Sequence, residues 1–225
     1  IGLTGDLNSP EIAGFELYLH DIAPFVNEKG SGLSFDAGVK LSTIFGGEAG
    51  MQLYGDYTRW KFDRVNVNRI AVDFKSGAYS MNGAVEFKDG DEIYGSGFRG
   101  DIKFELIKKF NFDAVAVFGK KDDFRYFLTD VFVETSPAGG IIIAPTPVSF
   151  YGFGGGLYRR MQQSYDLGSK SDFGKSLSGI NYVPDKSVGM GFMTSTKFGL
   201  AGVPSVFNAK VGFEIQFNSS GGLNF

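Results

Sequence analysis

The sequence predicts an all-β protein, an antiparallel meander or sandwich with one short helix. Three observations carry this. Glycine stands at 33 of 225 positions and phenylalanine at 24, against 7 prolines and 1 tryptophan. Aromatic and β-branched residues fit a pleated surface and glycine serves turns and bulges, whereas each glycine inside a helix would cost about 1 kcal/mol relative to alanine. Apolar and polar residues alternate with period two along most of the chain, and turn-forming clusters recur roughly every 10 to 15 residues, a spacing for hairpins rather than βαβ crossovers. An up-and-down β-barrel is the alternative, because its strands alternate in the same way.

The elements follow in order. Phe35, Ala37, Val39 and Leu41 alternate with Asp36, Gly38, Lys40 and Ser42, so one face of this strand is apolar. Met51 and Leu53 lead through Tyr57 into a second strand, then come Ile70, Val72 and Phe74, and then Tyr79, Met81, Val85 and Phe87 opposite Asn82, Glu86 and Lys88. Phe98, Ile102, Phe104 and Leu106 stand opposite Arg99, Asp101, Lys103 and Glu105, followed by strands over 112–118 and 124–134. The turns between them are expected at Lys75-Ser76-Gly77, at 88–91 and at 119–123. Residues 136–161 break the rhythm, with Pro137, Pro145 and Pro147 around Ile141-Ile142-Ile143 and then the run Gly152-Phe153-Gly154-Gly155-Gly156. Leu157, Met161 and Tyr165 stand at i, i+4 and i+8, which predicts a short helix over 157–165. A polar loop over 169–178 and strands over 188–198 and 205–217 complete the chain. The whole of 1–225 reads as one β-rich domain, and its opening Ile1-Gly2-Leu3-Thr4-Gly5, without an initiator methionine, leads us to expect a piece of a longer protein.

Composition narrows the chemistry. The net charge is −3 and the isoelectric point near 5.3, which argues against general nucleic-acid affinity. With no cysteine and a single histidine there is no disulfide framework, no thiolate nucleophile and no multi-histidine metal centre. We expect no cofactor. The mean hydropathy of −0.04 and the charged alternate positions lead us to expect solubility without detergent.

Four constellations remain. The glycines Gly152, Gly154, Gly155 and Gly156 resemble a phosphate cradle, but a dinucleotide fingerprint needs glycine where Leu157 stands, so they are read as structural glycines packed against an aromatic layer. Gly154→Val should accordingly overpack. Asp89, Asp91 and Glu92 could offer oxygen ligands to calcium, yet they fail the twelve-residue EF-hand pattern and read as a solvated hairpin turn. His20-Asp21 could supply two members of a catalytic triad, but no Gly-x-Ser-x-Gly elbow accompanies them, and His20 is read as a strand-end residue. Tyr54, Tyr57 and Trp60 could line a carbohydrate-binding strip, since 16% of the chain is aromatic and exposed rings stack on sugars.

From Ser76 to Met161 the chain resembles the β-rich segments of very large bacterial proteins, some found near contractile injection systems. The resemblance lies in Gly83-Ala84-Val85-Glu86-Phe87, in the run from Tyr94 to Gly100, in Val117-Phe118-Gly119-Lys120 and in the run from Pro147 to Gly156. It implies a non-catalytic structural or binding module of a secreted or surface-exposed assembly, whose partners are other β segments or assembly subunits. The chain is also similar to outer-membrane β-barrels in its alternation, its glycine and aromatic content and its terminal Phe225, which implies a membrane and an outer-membrane location. A carbohydrate-binding or carboxylate-dependent carbohydrate-active domain is the third function considered.

Overall fold

The structure, a computed structural model, describes residues 11–12, 15–40, 45–56, 61–106, 110–135, 140–165, 172–220 and 222–224. The chain divides into two compact units, residues 1–77 with 82–87 and residues 78–81 with 88–225.

In the first unit, β1 (Glu11–Ile12), β2 (Phe15–Asn27), β3 (Gly30–Lys40), β4 (Phe45–Asp56) and β5 (Lys61–Lys75) pair in sequence order, each antiparallel to the next. The β2–β3 turn is closed by Asn27, whose Oδ1 accepts the Lys29 N–H at 2.9 Å. Gly30 follows at φ 135°, a conformation that glycine adopts without penalty. Three register shifts interrupt this sheet, one of them between Tyr54 and Gly55 of β4, and the other two place polar side chains. One falls between His20 and Ala23 of β2, with Asp21 at φ 54°. The other sets Asn68 of β5 outside the register, because Gly50 pairs with Arg69 and Met51 with Val67.

The residues of β6 (Tyr79–Asp91) are shared between the units. In the second unit, β7 (Gly95–Leu106), β8 (Phe110–Lys121), β9 (Phe124–Thr135), β10 (Ile141–Ile142), β11 (Val148–Arg159), β12 (Met161–Ser164), β13 (Asn181–Pro184), β14 (Val188–Leu200), β15 (Asn208–Asn218) and β16 (Leu223–Asn224) follow. The main sheet has the order β7-β8-β9-β11-β14-β15-β16, all antiparallel, with the short β10 on β11. β12 and β13 form a separate pair.

The expected all-β antiparallel architecture is present, and three details differ. The helix expected over 157–165 is strand: Leu157 faces out and Tyr158 is buried, an alternation of period two that outweighs the chance spacing of Leu157, Met161 and Tyr165. Arg160 at φ 53° separates β11 from β12, and the one helical element described is a 3₁₀ turn at Asp172–Gly174. The turn expected at 88–91 lies later, at 92–94, because Asp91 Oδ1 accepts the N–H groups of Ile93 and Tyr94, each at 2.9 Å. The last long strand starts at Asn208 rather than Ser205. The sheet does not close on itself in either unit, since no pairing among the described residues joins β1 to β5 or β7 to β16, so the up-and-down barrel is not the arrangement of either unit.

Candidate functional site

Register lines up the side chains of the second unit in rows across six strands. One row runs Ile102, Ala114, Val131, Gly155, Thr194, Phe213. A parallel row is Phe104, Phe112, Val133, Phe153, Thr196, Val211, and another is Gly100, Ala116, Thr129, Leu157, Phe192, Ile215. No charged residue stands in these three rows. Several of their large side chains are exposed, Phe153 at 69%, Phe213 at 54% and Ile102 at 50%, while Phe104, Phe112, Val133 and Ile215 are half-buried. Phe98, Phe118 and Phe127 stack along one end of this face, with centroids 5.3 and 6.1 Å apart. Phe104 lies 6.1 Å from both Tyr79 and Phe110 toward the other end. Beyond the first aromatic row, Lys120 stands opposite Arg125. The first unit repeats the pattern, with Phe35, Met51 and Val67 in one row and Leu19, Ala37, Ala49 and Ile70 in another.

The opposite face of the second unit carries the polar and large aromatic residues. Its central row is Asp101, Val115, Asp130, Gly156, Met193, Glu214. Residues between β11 and β14 fold over this face and bury it: Tyr94, Leu128, Tyr158, Met161, Phe173 and Tyr182 are all sealed from solvent. Phe173 packs on Tyr94 and Tyr182 on Tyr158, each pair with centroids 4.9 Å apart.

Charged groups of the sheet hold this cap by its backbone. Arg99, itself gripped by Asp101, donates from Nη1 to the carbonyls of Phe173 at 3.0 Å and Lys175 at 2.7 Å. Asp130 accepts the Leu177 N–H at 2.8 Å, and Lys210 donates to the Leu177 carbonyl at 3.2 Å. Glu214 accepts hydrogen bonds from the Tyr182 hydroxyl at 2.6 Å, from the Tyr158 hydroxyl and from Gln163. Burial, and then the Glu214 carboxylate, push the Tyr182 phenol upward, which keeps it a neutral donor. A cavity of about 280 Å³ beside the cap is lined by Asp130, Gln163, Tyr182, Lys210 and Glu214, and the contacts just described already engage each of these side chains.

Glycine shapes this face. A Cβ at Gly191 would collide with the ring of Tyr158 and one at Gly119 with that of Tyr126, just as one at Gly38 in the first unit would strike Tyr18. Tyrosine rings therefore lie flat over cross-strand glycines, a known means of filling the gap such a residue leaves in a sheet.

The sequence-predicted residues scatter. Gly152, Gly154 and Gly156 stand on the inner side of β11, where an added Cβ would meet the backbone of β9 and, at Gly152 and Gly154, the Phe132 ring as well. Gly155 stands on the outer row, with Met193 O at 2.9 Å from such a Cβ. Tyr54 is buried, with Phe25 edge-on at 4.9 Å and the Arg64 guanidinium 4.2 Å above its ring, while Tyr57 and Trp60 lie outside the described residues. Asp89 accepts the Ser96 hydroxyl, and Asp91 caps the 92–94 turn and pairs with Lys88 at 3.7 Å. Sequence reasoning missed the constellation of His20, Asp36 and Glu48, whose ligand atoms lie within 4.8 Å of one another on three neighbouring strands. His20 is set within β2, not at a strand end. Comparison with protein families, curated proteins and solved structures found no match.

Proposed function

We propose that this chain is a non-catalytic membrane protein of the bacterial outer-membrane kind, whose apolar sheet face lies against lipid and whose opposite face, in the second unit, is covered by its own chain. The observation that carries this reading is the exposed, charge-free set of rows across six strands of the second unit. An aqueous surface rarely leaves so large a contiguous apolar area uncovered. Along β7 the outward positions are apolar from Phe98 to Leu106, a length of about 26 Å at ~3.3 Å per residue. A strand tilt of about 40° reduces this to roughly 20 Å, somewhat below the ~25 Å apolar band of such proteins. Aromatic rows near both ends and the cations Lys120 and Arg125 beyond one of them suit the boundary between acyl chains and headgroups. In lipid every sheet edge must be paired, so embedding requires that the open edges meet further strands, either from other parts of the chain or from neighbouring copies. This reading reverses the solubility expected from hydropathy.

The cysteine-free sequence permits a direct test with single nitroxide labels in liposomes. Labels at Ile102, Val131 and Phe213 should collide with dissolved oxygen, and a label at Lys103 with a water-soluble nickel chelate. A chain that stays monodisperse without detergent, with nickel reaching all four labels, would overturn the proposal and favour a secreted module whose apolar face docks on protein.

A further inference from the structure

The polar face of the first unit gathers a second set of groups, independent of the lipid-facing reading. His20 of β2 stands directly across from Asp36 of β3, and Glu48 of β4 is one diagonal away. The His20 Nε2 to Glu48 Oε2 distance is 3.4 Å. Two atoms each about 2.1 Å from one tetrahedral ion are separated by about that much. The other imidazole nitrogen is occupied, since Nδ1 lies 2.8 Å from Asp21 Oδ2, and the ring stacks on Tyr18 at 5.6 Å. A carboxylate on Nδ1 fixes the tautomer that offers the Nε2 lone pair, the arrangement by which metal-binding histidines are usually oriented.

Two further observations point to a ligand. Asn68 Oδ1 is buried and has no hydrogen-bond partner among the described residues, and a buried acceptor left unpaired is costly. It faces the space that Gly50 leaves open: a Cβ there would lie 2.5 Å from Asn68 Oδ1 and 2.9 Å from Asp36 Oδ1. The residues that complete the set, Asp21 and Asn68, stand at two of the three bulges of this unit, and bulges characteristically re-aim side chains at functional sites.

We propose that His20, Asp36, Glu48 and Asn68 form a binding site for a divalent transition metal ion, with Asp21 as the positioning residue of the imidazole. One imidazole nitrogen and three oxygens make a donor set suited to zinc, cobalt or manganese. The cation would offset two of the three negative charges of Asp21, Asp36 and Glu48, for which His20, even when protonated, supplies one positive charge. It would also give Asn68 Oδ1 its missing partner.

The test is titration of the full chain at neutral pH with Zn²⁺, followed by Co²⁺ absorption spectra. One Zn²⁺ should bind per chain, and Co²⁺ should show the d–d bands of a nitrogen–oxygen site. His20→Ala and Asp36→Asn should abolish binding. Asp21→Asn should weaken it by about 10-fold to 100-fold while keeping the Co²⁺ spectrum, as expected for an orienting partner rather than a ligand. Far-UV circular dichroism separates these effects from misfolding, and Arg64→Gln, on the same unit but outside the set, should leave affinity unchanged. Absence of stoichiometric binding, or binding that survives His20→Ala, would overturn the site and reduce the cluster to an ion pair.

Discussion

Each unit has an apolar sheet face, and the two differ in what stands on the opposite face. Both present aliphatic and phenylalanine side chains outward in register, and both lay tyrosine over glycine on the inner side. In the second unit the inner face is sealed by the segment between β11 and β14, and most of the fully buried side chains among the described residues are found there. In the first unit Tyr54 is the one large hydrophobic residue buried among the described residues, and the inner face carries His20, Asp36, Glu48 and Asn68. The same strand pattern thus supports two interiors. Where described chain covers the sheet, aromatic packing stabilises it, and where no described segment does, polar groups are left to water or to an ion.

Loosening the cap should separate the two units most sharply. Tyr182→Ala removes a sealed ring that packs on Tyr158 and a hydroxyl that Glu214 accepts, and truncating a buried aromatic costs about 3–5 kcal/mol. Hydrogen exchange should accelerate on β11 and β14 while β2 to β4 keep their protection. Equal loss in both units would mean that the interiors do not differ as described. Gly154→Val is the next largest effect, because its Cβ would meet the backbone of β9 and come 2.6 Å from the Phe132 ring. Overpacking of this kind costs about 1–3 kcal/mol. Gly155→Ala, on the outer row, should lose visibly less in urea unfolding, and the reverse ranking would show that the faces have been assigned the wrong way round. The smallest effect belongs to Lys186, which pairs with Asp123 and holds that carboxyl below its ordinary range. A depressed carboxyl stabilises the fold above about pH 4, and this contribution is lost as pH falls through the folded value. Lys186→Ala should therefore lower thermal stability slightly at pH 7 and not at pH 2. An equal decrement at both would assign the effect to packing.

Strand positions were legible because alternation such as Phe98, Ile102 and Phe104 against Arg99, Asp101 and Lys103 survives any tertiary context. The sign of the alternation was not legible. Period two states that two faces differ, and a hydrated sheet with an apolar interior reads the same as a lipid-facing sheet with a polar one. The exposed apolar face itself became visible only when residues far apart in sequence, such as Ile102 and Phe213, came to share a row. The metal-site candidates were hidden for a related reason. Asp36 and Glu48 are unremarkable polar positions of their strands until register sets them beside His20, and Asn68 joins them through a bulge that no local signal announces. The 157–165 helix failed because three apolar residues four apart also satisfy a bent pair of strands once Arg160 takes a positive φ.

The insertion between β11 and β14 also bears on the order in which the molecule assembles. In the first unit each strand pairs with its neighbour in sequence, so contacts are local and each hairpin can template the next without a large loop-closure penalty. β14 must wait longest among the described strands, since it pairs with β11 across the insertion that separates Arg159 from Val188. Until then β11 exposes an unpaired edge that any other strand could occupy. The Arg99 and Asp130 contacts hold the inserted backbone at Phe173, Lys175 and Leu177 from β7 and β9, strands that precede the insertion, so this tether needs neither β14 nor β15 in place.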